Sequence, residues 1–277
     1  MTNKISVTLL GTGCPTLNKE RFGPSTLIKY KEKKILFDCG SGVTQRLTQI
    51  EEKVADIDAI FITHMHSDHI VDLYQIFISG WHQGREFPLV IYGPLGIKKF
   101  IQQTQSMWIK EQETRKSWEK RSNNNGLAWD VKEIDDSEII NFEGLIVNPF
   151  IVDHFPIEPA FGYKMATEDK KIVISGDTGP SNNLIKNSME SDLLIHELFT
   201  EAYKDTGGVA SAYQKTPAAY HTTPVQVGMI ASKSNTKHLL LTHFVPPEFN
   251  KDSALKEIKE NYKGQITFGY DLYNIDI

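Results

Sequence analysis

The chain of 277 residues has little cysteine, no long hydrophobic run and no stretch of linker-like composition. Two cysteines, Cys14 and Cys39, are too few for a disulfide framework and lack the spacing of a paired metal site. No run approaches the roughly 18 apolar residues that a membrane span needs, and residues 1–10 alternate like a strand rather than a signal sequence. The sequence therefore predicts a cytoplasmic protein with no membrane segment, forming a single domain over residues 1–277.

The charge balance is equally unremarkable for a water-soluble chain. The net charge is −5 and the pI is about 6.0, while 40% of the residues are hydrophobic. This composition supports a sizeable core and argues mildly against a broad surface for a long polyanion.

Short apolar runs bounded by turn residues alternate with helical patterns in both halves of the chain. The predicted strands cover 5–10, 25–30, 34–37, 59–63, 89–92, 145–152, 161–166, 171–175 and 238–242, and residues 192–195 form a further short apolar run. The predicted helices cover 43–50, a segment that Asp68 would cap at its N-terminus, 96–112 and 225–233. This alternation predicts an α/β protein.

The most informative segment is the hexapeptide that follows the predicted strand 59–63. It contains His64, His66, Asp68 and His69, although the chain has only nine histidines. Clustered imidazoles repel one another when protonated and are costly to bury, whereas neutral imidazoles and carboxylates are the ligands that zinc prefers. The segment therefore predicts a metal site.

Further ligands must come from elsewhere in the chain, and three residues have the same sequence context. His154, Asp177 and His243 each follow an apolar run. A single histidine at a strand end is often structural, but the shared placement at strand ends favours convergence on one site.

Together these residues resemble the ligand set of the metallo-β-lactamase superfamily. The similarity runs from 9–13 through 36–40 to 241–244, and so covers nearly the whole chain. It implies a four-layer αββα sandwich, with two mixed β-sheets between outer helices and the site at one sheet edge. It also implies two metal ions, held by His64, His66 and His154 and by Asp68, His69 and His243, with Asp177 bridging them.

Within the superfamily, several segments resemble the ribonuclease Z and arylsulfatase-like branch. These segments are 159–163, 196–199 and 221–224, although Leu198 and Phe199 depart from the pattern of that branch. His221 matches a histidine that contacts the scissile phosphate in ribonuclease Z. Ribonuclease Z also carries a long arm that grips tRNA, and only residues 164–175 lie at that position here, which argues against tRNA cleavage.

This resemblance implies a hydrolase of a phosphodiester or sulfate ester, with a small-molecule or nucleotide substrate. Two metals about 3.5–4 Å apart can share a hydroxide and stabilise charge on the attacked centre. Asp68 would orient that nucleophile, and His221 would steady the substrate or protonate the leaving group. Glu197 would orient His221, and Asp38 would accept a hydrogen bond from a ligand imidazole.

The metal can be argued from the ligands. Superfamily members with a di-iron site place Glu where this chain has His66. An imidazole-rich site with open positions favours two zinc ions, although manganese or iron fits the same geometry.

Two other functions remain open at this stage. The same ligands serve hydrolysis of a thioester, a lactone or a β-lactam, and a metal-bound scaffold without catalysis is the alternative from another class. Trp81, His82 and Arg85 are candidates for a pocket wall, for packing or for a homodimer contact. His196 and His238 are expected to be structural.

Overall fold

The computed structural model describes residues 4–120, 125–200 and 220–277. Its framework is two mixed seven-stranded sheets. The first sheet has, in spatial order, β14 (Tyr273–Asp276), β1 (Ile5–Gly11), β2 (Ser25–Tyr30), β3 (Lys33–Phe37), β4 (Ala59–Phe61), β5 (Leu89–Gly93) and β6 (Trp129–Glu133). The second has β13 (Gln265–Phe268), β12 (His238–Val245), β11 (Leu193–Phe199), β10 (Lys171–Ile174), β9 (Phe161–Ala166), β8 (Leu145–Ile151) and β7 (Ile140–Phe142).

Seven α-helices lie within the described residues. They are α1 (Val43–Gln49), α2 (Ser67–Ile70), α3 (Leu73–His82), α4 (Ile97–Glu119), α5 (Asn182–Ser188), α6 (Pro224–Lys233) and α7 (Lys251–Asn261). Two single-turn 3₁₀ segments, Val54–Asp56 and Asn125–Leu127, complete the helical elements of the described chain.

The hydrophobic core forms three layers of contact. One cluster joins the facing sides of the two sheets, a second joins α1, α3 and α4 to the first sheet, and a third joins α5, α6 and α7 to the second. This is the predicted αββα sandwich, and the prediction is confirmed. Each helix covers one outer sheet face because its apolar side must be removed from water.

Aromatic contacts fix the two sheets against each other directly beneath the ligand loop. The Phe61 ring of β4 lies 5.3 Å from the Tyr163 ring of β9, in an edge-on arrangement. The Tyr163 hydroxyl donates a 2.6 Å hydrogen bond to the carbonyl of Ile62. The backbone that leads into the histidine loop is therefore held by the opposite sheet.

The predicted elements agree with the structure to within a few residues at most positions. The predicted strands 25–30 and 161–166 match β2 and β9 in full. The predicted N-cap at Asp68 is wrong, because α2 begins at Ser67 and His66 has the extended backbone of the cap. The apolar face after Asp68 is also divided between α2 and α3.

The connection between β9 and β10 is short. The two strands are antiparallel neighbours, and the backbone N–H of Thr167 donates to the carbonyl of Lys170 across a tight turn. Residues 164–175 therefore form a hairpin rather than a projecting arm.

Among the residues that the structure describes, no helix combines the length and the apolar character needed to cross a lipid bilayer.

Candidate metal centre

The histidine loop begins where β4 ends, between the parallel neighbours β3 and β5. The second sheet brings the distant residues to the same edge. His154 follows β8, Asp177 follows β10, and His243 lies within β12. Strand ends at a rigid edge hold side chains in place, and all seven residues proposed from the sequence as ligands meet here.

Four of these residues form a first cluster, in which three imidazoles face one carboxylate. His66 Nδ1 lies 2.9 Å from His64 Nε2 and 3.1 Å from His154 Nε2. Asp177 Oδ2 lies 3.8 Å from His64 Nε2.

The second cluster contains Asp68, His69 and His243. The Nε2 atoms of His69 and His243 are 3.2 Å apart, and Asp68 Oδ2 lies 3.4 Å from His243 Nε2. Asp177 Oδ2 is 3.4 Å from His69 Nε2 and 3.3 Å from His243 Nε2. Asp177 therefore stands between the two clusters.

This donor set fits divalent cations. Ligand atoms about 2.0–2.1 Å from a tetrahedral ion lie about 3.3 Å from each other, close to the separations found in both clusters. Ring nitrogens that point at one another in a buried site need a proton or a cation between them. The two adjoining clusters are therefore candidate cation sites, as the sequence motif predicts.

The second nitrogen of three of these imidazoles is also held by a hydrogen-bonding partner. Asp38 Oδ2 lies 2.9 Å from His69 Nδ1, and the Thr63 hydroxyl lies 2.9 Å from His64 Nδ1 and 3.0 Å from Asp38. His154 Nδ1 donates to the carbonyl of Tyr220 at 3.0 Å. Such partners fix the tautomer and the ring orientation of a metal ligand.

The structure thus gives Asp38 the role that the sequence suggested for it, while Thr63 was missed. Its position directly before His64 was the only available signal, and that signal does not reveal where the hydroxyl points. Tyr220 was also missed, because it takes part through its backbone carbonyl.

Burial lowers the pKa values of the histidines in both clusters, but at His69 in the second cluster nearby carboxylates outweigh it. Burial lowers the pKa of His154 to about 4 and that of His64 well below its usual value, so both rings are neutral at pH 7. Burial would also lower the pKa of His69, but the carboxylates of Asp177 and Asp38 raise it well above the usual value. Neutral imidazole is the form that binds a cation.

Beside the second cluster lies a buried histidine–carboxylate pair. His221 Nδ1 donates to Glu197, with 2.8 Å to Oε2, and Glu197 Oε1 accepts from the backbone N–H of Thr178 at 2.8 Å. Burial alone would lower the pKa of His221, but Glu197 raises it to about 9. The pairing suggested from the sequence is present, and it holds a protonated imidazole next to Asp177 and His243.

A cavity of about 270 Å³ opens onto both clusters. Its described lining residues are Cys14, Pro15, Thr16, His66, Ser67, Asp68, Asp177, Tyr220, His221, His243 and Val245. Among these there is no Lys or Arg, so any positive charge on the described wall comes from imidazoles, above all from His221.

The remaining residues singled out in the sequence lie away from this cavity. Trp81 and Arg85 are buried in the packing of α3, and the Arg85 guanidinium donates to the carbonyls of Phe77 and Gly126. His82 is exposed at the end of α3. His196 and His238 contact a backbone carbonyl and the Thr267 hydroxyl, respectively, which is consistent with structural roles.

Comparison with known proteins agrees with this geometry. The chain is 27% identical to the ribonuclease Z of Mycobacterium bovis (strain BCG / Pasteur 1173P2), over 99% of this chain and 98% of that protein. The metallo-β-lactamase fold protein YhfI from Bacillus subtilis superposes with a TM-score of 0.77 at 21% identity, covering 99% of each chain. Human tRNase Z, short form (ELAC1), superposes with a TM-score of 0.73 at 24% identity, covering 98% of each chain.

The chain has the metallo-β-lactamase fold with clustered candidate ligands, and the predicted resemblance to ribonuclease Z is confirmed as a similarity over nearly the whole chain. The arylsulfatase part of the resemblance stays a prediction. Residues 5–223 match the family of the anti-Pycsar protein Apyc1, and the chain belongs to that family.

Proposed function

We propose that the protein is a binuclear zinc hydrolase that cleaves a phosphodiester. The observation that carries this proposal is the pair of facing clusters that share Asp177, with the His221–Glu197 pair beside them. The name of the M. bovis relative, ribonuclease Z, supports hydrolysis of an ester of phosphate.

The ligands favour zinc for both positions. Five imidazoles and two carboxylates form the combined set, and imidazole-rich sites with open positions are typical of zinc. Bound cations would lower the pKa of water and stabilise negative charge on the substrate.

The protein side chains complete the reaction. Asp68 borders the cavity beside His243, where its carboxylate can orient the attacking water. His221, kept protonated by Glu197, gives its Nε2 proton to the departing alkoxide or steadies the oxygens of the phosphoryl group. Asp68 and His221 are therefore the proposed catalytic residues, and Glu197 positions His221.

The cavity favours a small ester over a folded RNA. Its volume is about 270 Å³, its described lining has no Lys or Arg, and the β9–β10 hairpin leaves no arm between residues 164 and 175. A substrate with one anionic group, which the cations would neutralise, suits this environment better than a polyanion. A small phosphodiester, such as a nucleotide ester, fits best, and a sulfate ester has the same charge.

The test combines metal analysis with a substrate panel. Purified protein should contain about two zinc ions per chain. The panel contains a bis-aryl phosphate, a cyclic nucleoside monophosphate, an aryl sulfate, a lactone and a precursor tRNA. We expect phosphodiester cleavage that is lost with a chelator and in His66→Ala, and is restored to the chelated wild type by zinc rather than by manganese or iron. Activity that persists without metal would refute the proposal. Turnover of the lactone alone or of the sulfate alone would show that the site hydrolyses that ester instead of a phosphodiester.

The homodimer suggested from the sequence remains a prediction. Helix α4 exposes Met107 and Trp118, which are 74% and 86% accessible to solvent. Light scattering of the wild type and of Trp118→Lys tests the prediction, since a dimer mass that falls to the monomer mass in the variant would support contact through α4. A monomeric wild type would refute it.

A further inference from the structure

A second, much smaller cavity lies behind the second ligand cluster. Its volume is about 30 Å³, and its polar lining includes Ser25, Asp38, His69, Glu197 and His243. A cavity needs about 10–15 Å³ of such space to hold one water molecule, so this one has room for an ordered water.

Two residues on this lining carry buried polar atoms without a partner. Within the described part of the chain, neither Ser25 Oγ nor His243 Nδ1 makes a hydrogen bond, although each residue is only 3% exposed. Buried polar groups are nearly always paired, with protein or with ordered water, so two such atoms on one small cavity call for a shared partner.

The backbone explains why His243 faces this cavity. His243 is the extra residue in the ladder between β11 and β12, where Thr242 pairs with Glu197 and Phe244 with Leu198. Its φ of 41° is left-handed. Bulges of this kind turn a side chain away from its normal direction.

The tautomer of His243 determines which kind of partner its Nδ1 needs. His243 Nε2 belongs to the second cluster, so the neutral ring carries its proton on Nδ1 and needs an acceptor there. The Ser25 hydroxyl can donate and accept, and a water can connect the two. The Asp38 carboxylate on the same lining offers a further acceptor, in addition to its contacts with Thr63 and His69.

We propose that this cavity binds one ordered water molecule, which accepts from His243 Nδ1, is held by Ser25 Oγ, and fixes the orientation of His243. The inference rests on the proposed two-cation function. It extends to His243 the arrangement found at His64, His69 and His154, whose second nitrogens already have partners. Ser25 is therefore a positioning residue that touches neither substrate nor cation.

The matched control is Ser188, a buried serine whose hydroxyl has no hydrogen-bond partner in the described chain, and which lies on α5 and not on this cavity. The test compares Ser25→Ala, Ser188→Ala and the conservative Ser25→Thr. Stepwise zinc titration against a competing chelator measures both affinities, and a high-resolution crystal structure of the zinc-loaded wild type locates the water.

We expect Ser25→Ala to weaken the second zinc about tenfold, the lower end for loss of an outer partner of a ligand, with the first zinc unchanged. Ser25→Thr should restore most of that affinity and Ser188→Ala should leave both ions unaffected. Equal affinities in the two alanine variants, an empty cavity, or direct contact between Ser25 and His243 would overturn the inference alone. A wild type that binds fewer than two ions would overturn the proposed function as well.

Discussion

The two ligand clusters share Asp177 but differ in charge and exposure. The first contains three imidazoles. The second nitrogen of His64 contacts a hydroxyl and that of His154 a backbone carbonyl, while His66 is only half-buried. The second adds the carboxylate of Asp68 and has Asp38 directly behind His69. The second position is therefore the more anionic, and we expect it to bind a cation more tightly than the first.

The largest effect is expected at Asp177, because both clusters share its carboxylate. Asp177→Asn removes a charge from both clusters and should lower activity by roughly a thousandfold, because several kcal/mol of charge stabilisation depend on the paired cations. Metal analysis should find fewer than two ions per chain. Asp192→Asn, which alters an ion pair with Lys237 far from the site, is the control. Two tightly held ions in Asp177→Asn would contradict the bridging role.

A smaller loss of activity is expected from a change in the His221–Glu197 pair, which belongs to neither ligand cluster. Glu197→Gln leaves the shape intact but removes the charge that keeps His221 protonated, and kcat should fall about a hundredfold. Zinc content should remain that of the wild type, and substrates with good leaving groups should lose least. Loss of zinc from this variant would place Glu197 among the groups that support the ligands.

The contrast between clusters is tested most selectively at Asp38. Asn tolerates the positive φ of 60° found there, so Asp38→Asn keeps the backbone while removing the charge behind His69. Zinc affinity should fall about ten- to a hundredfold at the second position alone. An equal loss at both positions would show that Asp38 supports the two clusters alike, through Thr63.

A separate prediction concerns the free energy of unfolding and its dependence on pH. Burial lowers the pKa of His196 to about 4, against about 6.5 when unfolded. As the pH falls, His196 therefore binds a proton in the unfolded chain before it does so in the folded chain. The resulting stability is fully present above pH 6.5 and decreases toward pH 4, by up to roughly 3 kcal/mol. Urea unfolding measures the free energy of unfolding at pH 7 and at pH 5. The difference between these two values should be smaller for His196→Leu than for the wild type. Equal differences would mean that His196 does not contribute.

The sequence predicted much of the site because its ligands have a clear local context. Residues 64–69 are adjacent in the chain, and His154, Asp177 and His243 each follow an apolar run. The contacts of the Thr63 hydroxyl and the position of Ser25 on the small cavity were not predictable, because they depend on side-chain directions and on packing between distant strands.

The fold was predictable where strands are buried and less so at its margins. The edge strands β6, β7, β13 and β14 were missed, because they are short and carry partly exposed or exposed residues. Helix α4 runs seven residues beyond the predicted end at 112, through a polar stretch in which Arg115 pairs with Glu111 and Glu119. Such one-turn ion pairs add stability without an apolar signal.

Anomalous scattering from a crystal of the zinc-loaded protein tests the central claim most directly. We expect two zinc peaks about 3.5–4 Å apart, one beside His64, His66 and His154 and the other beside Asp68, His69 and His243, with an Asp177 oxygen between them. A single peak, or zinc bound away from these residues, would contradict the account.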